Sequence, residues 1–337
     1  NRNDFLQDYI MLENIKGIIF KKNGIVVRNA PRETIENLDE LPFPARDLFP
    51  LEKYIPLPNQ YKKLPLTNMV VIRGCPYSCT FCDQAGTRAR RRSPEKVVEE
   101  IKHCAERYGI KEISFWDDTM SYHKKWMREF LDRLIKADLN LCWSCYAAVN
   151  TVDKDLLILM RKAGCWNIFY GYETAVDDLA KNILSNRKNR NFEKMKQVAQ
   201  WTKEAGIEVR GSFLIGLPGE TPELAKQTVK NAIELDPDYA QFTIVCPYPG
   251  TKLQKEIKQG KWGKFIEEDF EKYHQWDVTW LPEGYNSVEE LKNMNRYAFR
   301  KFYLRPGYII KRIMKIRSFE DIKRYIKGGR ALVKAFL

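Results

Sequence analysis

Between Asn68 and Cys246 short apolar runs alternate with segments of helical period, and this alternation constrains the fold more than any other feature. Met69-Val70-Val71-Ile72, Ile113-Ser114-Phe115-Trp116, residues 141–148, Asn167-Ile168-Phe169-Tyr170, Glu208–Ile215 and Tyr239–Cys246 read as strands. A helix opens at Ser93-Pro94-Glu95-Lys96, with Ser93 as cap, Pro94 at the first position and Glu95 in the first turn. Its apolar residues Val97, Val98, Ile101 and Ala105 follow at helical spacing. Further helices are expected over 124–136, 153–163 and 192–205, the last stopped by Gly206, and from Pro222 to Glu234. Six strand–helix steps at this spacing predict parallel βαβ units, hence an α/β barrel or a doubly wound sheet.

The flanks differ. Gly17-Ile18-Ile19-Phe20 and Ile25-Val26-Val27 bracket Asn23-Gly24, a hairpin signal. Leu38-Asp39-Glu40-Leu41-Pro42-Phe43-Pro44-Ala45 reads as an extended connector, because each proline disfavours helix in the residue before it. Beyond about residue 262 the pattern turns helical and aromatic. The expected division is 1–62 for hairpin and connector, 63–262 for the barrel, and 263–337 for a basic helical extension.

The net charge of +13 is concentrated at one end. Residues 291–337 hold fourteen Lys or Arg against Glu320 and Asp321, a local excess of twelve. The remaining 290 residues are close to neutral, so no general nucleic-acid coat is expected. Ile309, Ile310, Ile313 and Ile316 among Lys311, Arg312, Lys315 and Arg317 suit a basic amphipathic helix. Such a helix either rests on an anionic membrane surface or packs on the barrel with its basic face in solvent. No run approaches the roughly 20 apolar residues of a membrane span, and no secretory start is visible. A cytoplasmic enzyme is expected, with the inner membrane face as the alternative for its tail. The start Asn1-Arg2-Asn3-Asp4 lacks Met, which suits a processed, tagged or shortened chain.

Three of the eight cysteines fall within eight residues: Arg73-Gly74-Cys75-Pro76-Tyr77-Ser78-Cys79-Thr80-Phe81-Cys82. In a reducing compartment such crowding reads as metal binding before disulfides. Three thiolates can take three irons of a cubane and leave the fourth open, whereas no fourth ligand stands nearby in sequence. Cys142-Trp143-Ser144-Cys145 repeats a C-x2-C spacing, but on a strand residues three apart point to opposite faces. Those two, with Cys104, Cys165 and Cys246, read as packing residues, and His103, His123 and His274 as structural.

The cysteine triplet resembles the signature of the radical S-adenosylmethionine (SAM) superfamily, and motifs along nearly the whole chain fit it. The resemblance implies a partial (β/α)6 TIM-type barrel in which Cys75, Cys79 and Cys82 bind a 4Fe–4S cluster whose open iron takes SAM. Cleavage of SAM by one electron would give a 5′-deoxyadenosyl radical, under anaerobic conditions and with an electron donor such as flavodoxin or ferredoxin. Phe81 is implied near the adenine. Phe115-Trp116-Asp117-Asp118-Thr119 is similar to the segment that replaces the usual Gly-Gly-Glu, which implies contacts from Asp117 and Asp118 to the SAM ammonium; the alternative is capping of the next helix. Tyr170-Gly171-Tyr172-Glu173-Thr174 resembles Gly-x-Glu-Ser/Thr and implies that Glu173 bonds the SAM ribose or amino group. Gly211 to Thr221 resembles the adenine-pocket turn, with Ile215 and Leu217 as apolar walls, and Cys246-Pro247-Tyr248-Pro249-Gly250-Thr251 matches the end of the barrel. Relatives often place an arginine before the Val-Asp preceding the next helix; here Tyr146 to Asp153 has none, which leaves Arg210 or Ser144 to grip the SAM carboxylate.

The connector at 38–45 and Tyr297-Ala298-Phe299-Arg300-Lys301-Phe302-Tyr303-Leu304-Arg305-Pro306 resemble the cobalamin-binding subgroup, which includes anaerobic magnesium-protoporphyrin cyclase and hopanoid-biosynthesis enzymes. No Asp-x-His-x-x-Gly is present, and only about 60 residues precede the barrel, so cobalamin would act through a domain outside this chain. The implied activity is methylation, oxidation or cyclisation at an unactivated carbon of a small, lipid-like or tetrapyrrole-like molecule. A methylthiotransferase, and a non-catalytic Fe–S or zinc protein, are the alternatives.

Overall fold

The computed structural model describes residues 9–184, 191–274, 277–316 and 319–336. Asn1–Asp4 and Arg317 lie outside the described residues. The chain divides into two compact units, Asn1–Glu40 and Leu41–Leu337.

In the first unit β1 (Ile19–Lys22) and β2 (Ile25–Arg28) pair antiparallel. Asn23 and Gly24 turn between them at φ 52° and 82°, the left-handed pair a two-residue hairpin needs. The Asn29 amide then donates to the carbonyls of Leu12 and Ile15, both at 2.7 Å, and ties the hairpin to the short helix Tyr9–Glu13 (α1).

In the second unit six strands form one parallel sheet in the spatial order β10-β9-β8-β7-β6-β3. They are β3 (Leu66–Met69), β6 (Glu112–Phe115), β7 (Cys142–Ala147), β8 (Cys165–Glu173), β9 (Glu208–Ile215) and β10 (Tyr239–Ile244). Consecutive strands lie side by side throughout, as successive βαβ units dictate, and the fold is the partial TIM-type barrel expected. The helices between them are α2 (Pro94–Tyr108), α3 (Lys124–Ala137), α4 (Lys154–Lys162), α5 (Asp177–Ile183), α6 (Phe192–Glu204) and α7 (Pro222–Leu235). Ser93 caps α2 by accepting from the Lys96 amide at 3.2 Å. After α6, Gly206 turns left-handed at φ 77° and its amide reaches the Lys203 carbonyl.

The first barrel strand is Leu66–Met69 rather than 69–72. Ile72–Arg73 (β4) instead pairs antiparallel with Arg90–Arg91 (β5), outside the barrel sheet. The cause is Asp117, whose Oδ1 takes the amides of Val71 and Ile72 at 2.7 and 2.5 Å and so removes them from the ladder.

On the helix side of the sheet Tyr170, Tyr172, Phe213 and Phe242 stack in a row across three strands, with centroids 5.4–5.8 Å apart. Gly211 has no side chain because a Cβ there would come within 2.9 Å of the Tyr172 ring. Buried Ile113, Trp143, Ile168, Phe130 and Leu131 continue this core. After the barrel come α8 (Lys252–Lys258), the ribbon of β11 (Gly263–Phe265) with β12 (Trp280–Pro282), and α9 (Val288–Tyr303).

Helices α10 (Pro306–Met314) and α11 (Phe319–Phe336) close the chain. In α10 the basic side docks: Arg312 and Lys315 pair with Asp238, and Lys311 with Asp236. The Tyr308 hydroxyl donates to the Asp238 carbonyl at 2.9 Å. Ile309, Ile310, Ile313 and Met314 are exposed, so the helix presents the reverse of a solvated basic face. The helix ends before Ile316. Among the described residues no helix is long and apolar enough to cross a membrane.

Candidate active site

Barrel strands deliver their side chains alternately to the helices and to the interior. At the carboxyl ends of β6 to β9 the interior side chains border a cleft of about 310 Å³. Its lining comes from Trp116–Thr119, Tyr146–Ala148, Phe169, Gly171, Glu173 and Ser212. This is the end at which barrel enzymes assemble their sites.

The cysteine loop leaves β4 beside this cleft. Gly74 begins it at φ 91°, where a Cβ would sit 2.4 Å from the Arg88 carbonyl oxygen. Only glycine lets the two backbones approach so closely. The Cys75 amide donates to Thr87 Oγ1 at 2.9 Å and the Gly86 amide to the Tyr77 carbonyl at 2.7 Å. Thr80 anchors the far side, donating to the Ile183 carbonyl at 2.9 Å and accepting from the Leu253 amide at 2.8 Å.

Cys75, Cys79, Tyr77 and Ala148 form a buried cluster against which Phe81, Cys82 and Leu184 pack. Ala148 also lines the cleft, so the cysteines border it through that residue. Burial pushes the Cys82 thiol up to about 11, and Asp83, Cys79 and Cys75 add to the rise. Among the described residues no three His, Cys, Asp or Glu side chains converge on a single metal ion. A cubane does not ask for that convergence, since each thiolate binds a different iron. The donor set therefore suits a cluster with one iron left open.

The other cysteines stand elsewhere. Cys142 Sγ faces Glu112 at 3.6 Å, Cys145 is beside Cys165, Cys104 lies near Arg46 and Glu100, and Cys246 is 3.7 Å from the Thr279 hydroxyl. Cys142 and Cys145 thus have separate neighbours, as strand alternation requires.

Of the acidic residues singled out in the sequence, Asp117, Asp118 and Glu173 all border the cleft. Asp117 is buried with Oδ1 on the Val71 and Ile72 amides, while its Oδ2 is buried with no hydrogen-bond partner. Burial drives its carboxyl up to about 7 against the pull of those amides. Asp118 is exposed; partial burial and then the charge of Asp83, next to Cys82, raise its pKa. Glu173 follows a one-residue slip between β8 and β9 and is held at φ 56°. A left-handed glutamate costs roughly 1–3 kcal/mol and such strain gathers at functional sites.

Phe81 and Leu217 meet in one apolar cluster with Ile183, Val245, Leu253 and Trp280. Ile215 does not join them: its side chain is on the opposite face of β9, among Ala225, Ile244, Tyr285, Leu291 and Met294. The inward residue next to it is Leu214. The turn after β9 is braced by Glu220, whose Oε1 accepts from the Gly216 amide and from the Tyr285 hydroxyl, both at 2.6 Å. Burial lifts the Glu220 carboxyl to about 7.

Arg210 lies on the inward face of β9 two residues before Ser212, its guanidinium 4.5 Å from the Phe169 ring. Burial lowers its pKa. Ser144 is one layer deeper, with its hydroxyl 3.4 Å from that of Ser114. Tyr146 and Phe169 carry no motif, and Ser212, though inside the Gly211–Thr221 segment, was not singled out in the sequence. Strand alternation identifies them, because they share faces with Ser144, Glu173 and Arg210.

A radical SAM superfamily model matches residues 69–232. An uncharacterized methyltransferase of Pyrococcus horikoshii is 35% identical over 94% of this chain and 67% of its own length. The anaerobic magnesium-protoporphyrin IX monomethyl ester cyclase of Rubrivivax gelatinosus is 31% identical over 96% of this chain and 56% of its own length. The solved structure of the cobalamin-dependent S-adenosylmethionine radical enzyme OxsB, with aqua-cobalamin and S-adenosylmethionine bound, covers 99% of this chain and 54% of its own. Its TM-score is 0.68 at 15% identity, a likeness of fold. The chain spans about half to two thirds of the length of these relatives. Likeness at this level runs through the barrel and both flanks as well as the cysteine loop, and the chain is a member of the radical SAM superfamily, whose enzymes work with a 4Fe–4S cluster and SAM.

Proposed function

We propose that Cys75, Cys79 and Cys82 hold the 4Fe–4S cluster, that SAM takes its open iron, and that the chain directs radical chemistry at an unactivated carbon of a small molecule. One observation carries the reading: the apolar cluster that contains the three-cysteine loop shares Ala148 with the strand-end cleft. When bound, the cluster and SAM supply a reactive carbon radical, chemistry no side chain offers.

The residues of the chain bind, orient and exclude water. The Cys75–Thr87, Tyr77–Gly86 and Thr80 contacts hold the cysteine loop in place. Asp118 and Glu173 place carboxylates at the cleft for the SAM ammonium, and the unpaired Oδ2 of Asp117 is a third acceptor there. Phe81 and Leu217 offer an apolar surface to the purine. Trp116, Tyr146 and Phe169 wall the cleft and keep solvent from a reactive intermediate.

Methyl transfer is the preferred reaction, with cobalamin held by a domain outside this chain; the names of several relatives support it, and cyclisation is the second reading. An electron donor such as flavodoxin or ferredoxin and an oxygen-free cytoplasmic setting belong to the same proposal. Attachment to a membrane does not, because Lys311, Arg312 and Lys315 already pair with Asp236 and Asp238.

Anaerobic reconstitution of the whole chain tests the reading. With SAM and a chemical reductant, the loaded protein is expected to release 5′-deoxyadenosine. A chain that takes zinc instead, or that holds the cluster and leaves SAM intact, overturns it.

A further inference from the structure

Among the described residues four arginines are buried, Arg46, Arg92, Arg210 and Arg312, each between 5% and 7% exposed. Three of them face an acid: Arg46 and Arg92 share Glu100, and Arg312 pairs with Asp238. Arg210 has no carboxylate within ion-pair distance and no hydrogen bond among the described residues; its close partner is the Phe169 ring. Glu208, two residues back on the same face, acts on Arg312 instead. Tyr146, Tyr239 and Tyr303 are the titratable groups that act on the guanidinium.

A buried guanidinium without a counter-ion is costly to fold, and it keeps its proton. Its position explains its presence. Arg210 is in register with Phe169 on β8 and Tyr239 on β10, one step below Ser212 on the face that lines the cleft. Trp116, Tyr146 and Phe169 lead across the sheet to it as a row of rings, 5.6 Å and then 5.1 Å between centroids. The cleft is thus acidic where Asp117, Asp118 and Glu173 border it and aromatic along one wall, and Arg210 lies just outside its lining, against the Phe169 ring and one step beneath Ser212.

We infer that Arg210 anchors an anionic group of the substrate, a carboxylate or phosphate, at the base of the cleft while the flat or apolar body lies along Trp116, Tyr146 and Phe169. A guanidinium fork holds such a group by paired charge-assisted hydrogen bonds. The acids bordering the cleft are taken by the SAM ammonium and offer a second anion nothing, so the substrate lies with its charged group at Arg210 and its uncharged part toward the cysteine loop. The inference rests on the reading of this cleft as the reaction chamber. It makes Arg210 a substrate residue rather than the grip on the SAM carboxylate.

The test uses the whole chain with its cluster loaded and SAM at saturation. Equilibrium dialysis compares 2-naphthoate with its neutral analogue 2-naphthamide on wild type, Arg210→Gln and Arg210→Lys. Wild type is expected to favour the carboxylate by about tenfold or more. Arg210→Gln should erase that preference, Arg210→Lys should keep part of it, and SAM affinity should not change in either. Equal or absent binding of the two probes by wild type overturns the inference, as does a variant that loses SAM affinity and keeps the naphthoate preference. Arg210→Met guards against a structural role: its melting temperature should equal or exceed that of wild type, and a fall of several degrees counts against the inference. Release of 5′-deoxyadenosine is scored separately, so a failure here leaves the SAM reading standing and a failure there is seen as its own.

Discussion

Asp117 accepts the Val71 amide at 2.7 Å, across 46 residues of sequence, and thereby fixes the backbone four residues before Cys75, just past the end of the first barrel strand. The carboxylate stands in for a sheet neighbour, taking the two amides that the barrel ladder does not use. Asp117→Ala would leave both amides buried without an acceptor, at a cost of about 2–4 kcal/mol. Asp117→Asn keeps one acceptor oxygen for them. Iron content after reconstitution, read beside the melting temperature, should fall strongly in the alanine variant and little in the asparagine one.

Gly74→Ala should damage the same loop by a different route. The new methyl group meets the Arg88 carbonyl at 2.4 Å, and φ 91° is closed to alanine at low energy. A loss of roughly 2–3 kcal/mol and a cluster that loads incompletely are expected. Full iron occupancy with unchanged stability would show that the loop adapts.

Glu220 gives the stability a dependence on pH. Its carboxyl keeps a proton in the folded chain up to about 7 because burial raises it. An unfolded glutamate loses that proton near about 4.3. Between these values the folded state binds more protons, so this contribution is complete below about pH 4.3 and is lost as pH rises through about 7. Glu220→Gln removes the ionisation. Its melting temperature should fall less than that of wild type between about pH 5 and 7.5, a difference equivalent to at most about 3 kcal/mol.

Glu100 holds two buried arginines. It meets Arg46 Nη2 at 2.7 Å with one oxygen and Arg92 with the other, while Arg92 also donates to the Leu41 carbonyl at 2.6 Å. This triad joins the proline-rich connector to α2 and to the start of the barrel. Glu100→Ala strands two guanidinium groups and should cost about 3–5 kcal/mol in denaturant unfolding. Replacing all three residues by apolar ones of similar volume should recover most of that loss.

The regular parts of the fold were legible because local chemistry marks them. Asn23-Gly24 located the hairpin turn, Ser93 and Gly206 located helix ends, and alternating apolar runs located the barrel strands. What escaped depends on distant partners. The first strand was placed three residues late because Val71 and Ile72 look like strand residues, and Asp117, far along the chain, withdraws them. The facing of α10 depends on Asp236 and Asp238, about 75 residues earlier, and its isoleucines alone suggest the opposite orientation. Within the site the motifs located the cysteine loop and the acids of the cleft. They misplaced the Ile215 side chain, because alternation along β9 sends Ser212 and Leu214 inward and Ile215 toward Leu291. In the aromatic wall Tyr146 and Phe169 have no motif, and their place beside Trp116 emerges only when the strands are set in register.

The central claim is a cluster bound by three cysteines with one iron left for SAM, and electron paramagnetic resonance of the reduced, reconstituted chain tests it most directly. Spectra recorded with and without SAM should differ, because coordination at the open iron alters the electronic structure of the cluster. The same comparison on a chain whose Cys79→Ala change prevents loading should give no cluster signal at all. A cluster spectrum that SAM leaves unchanged in wild type, or that survives the loss of Cys79, would contradict the account.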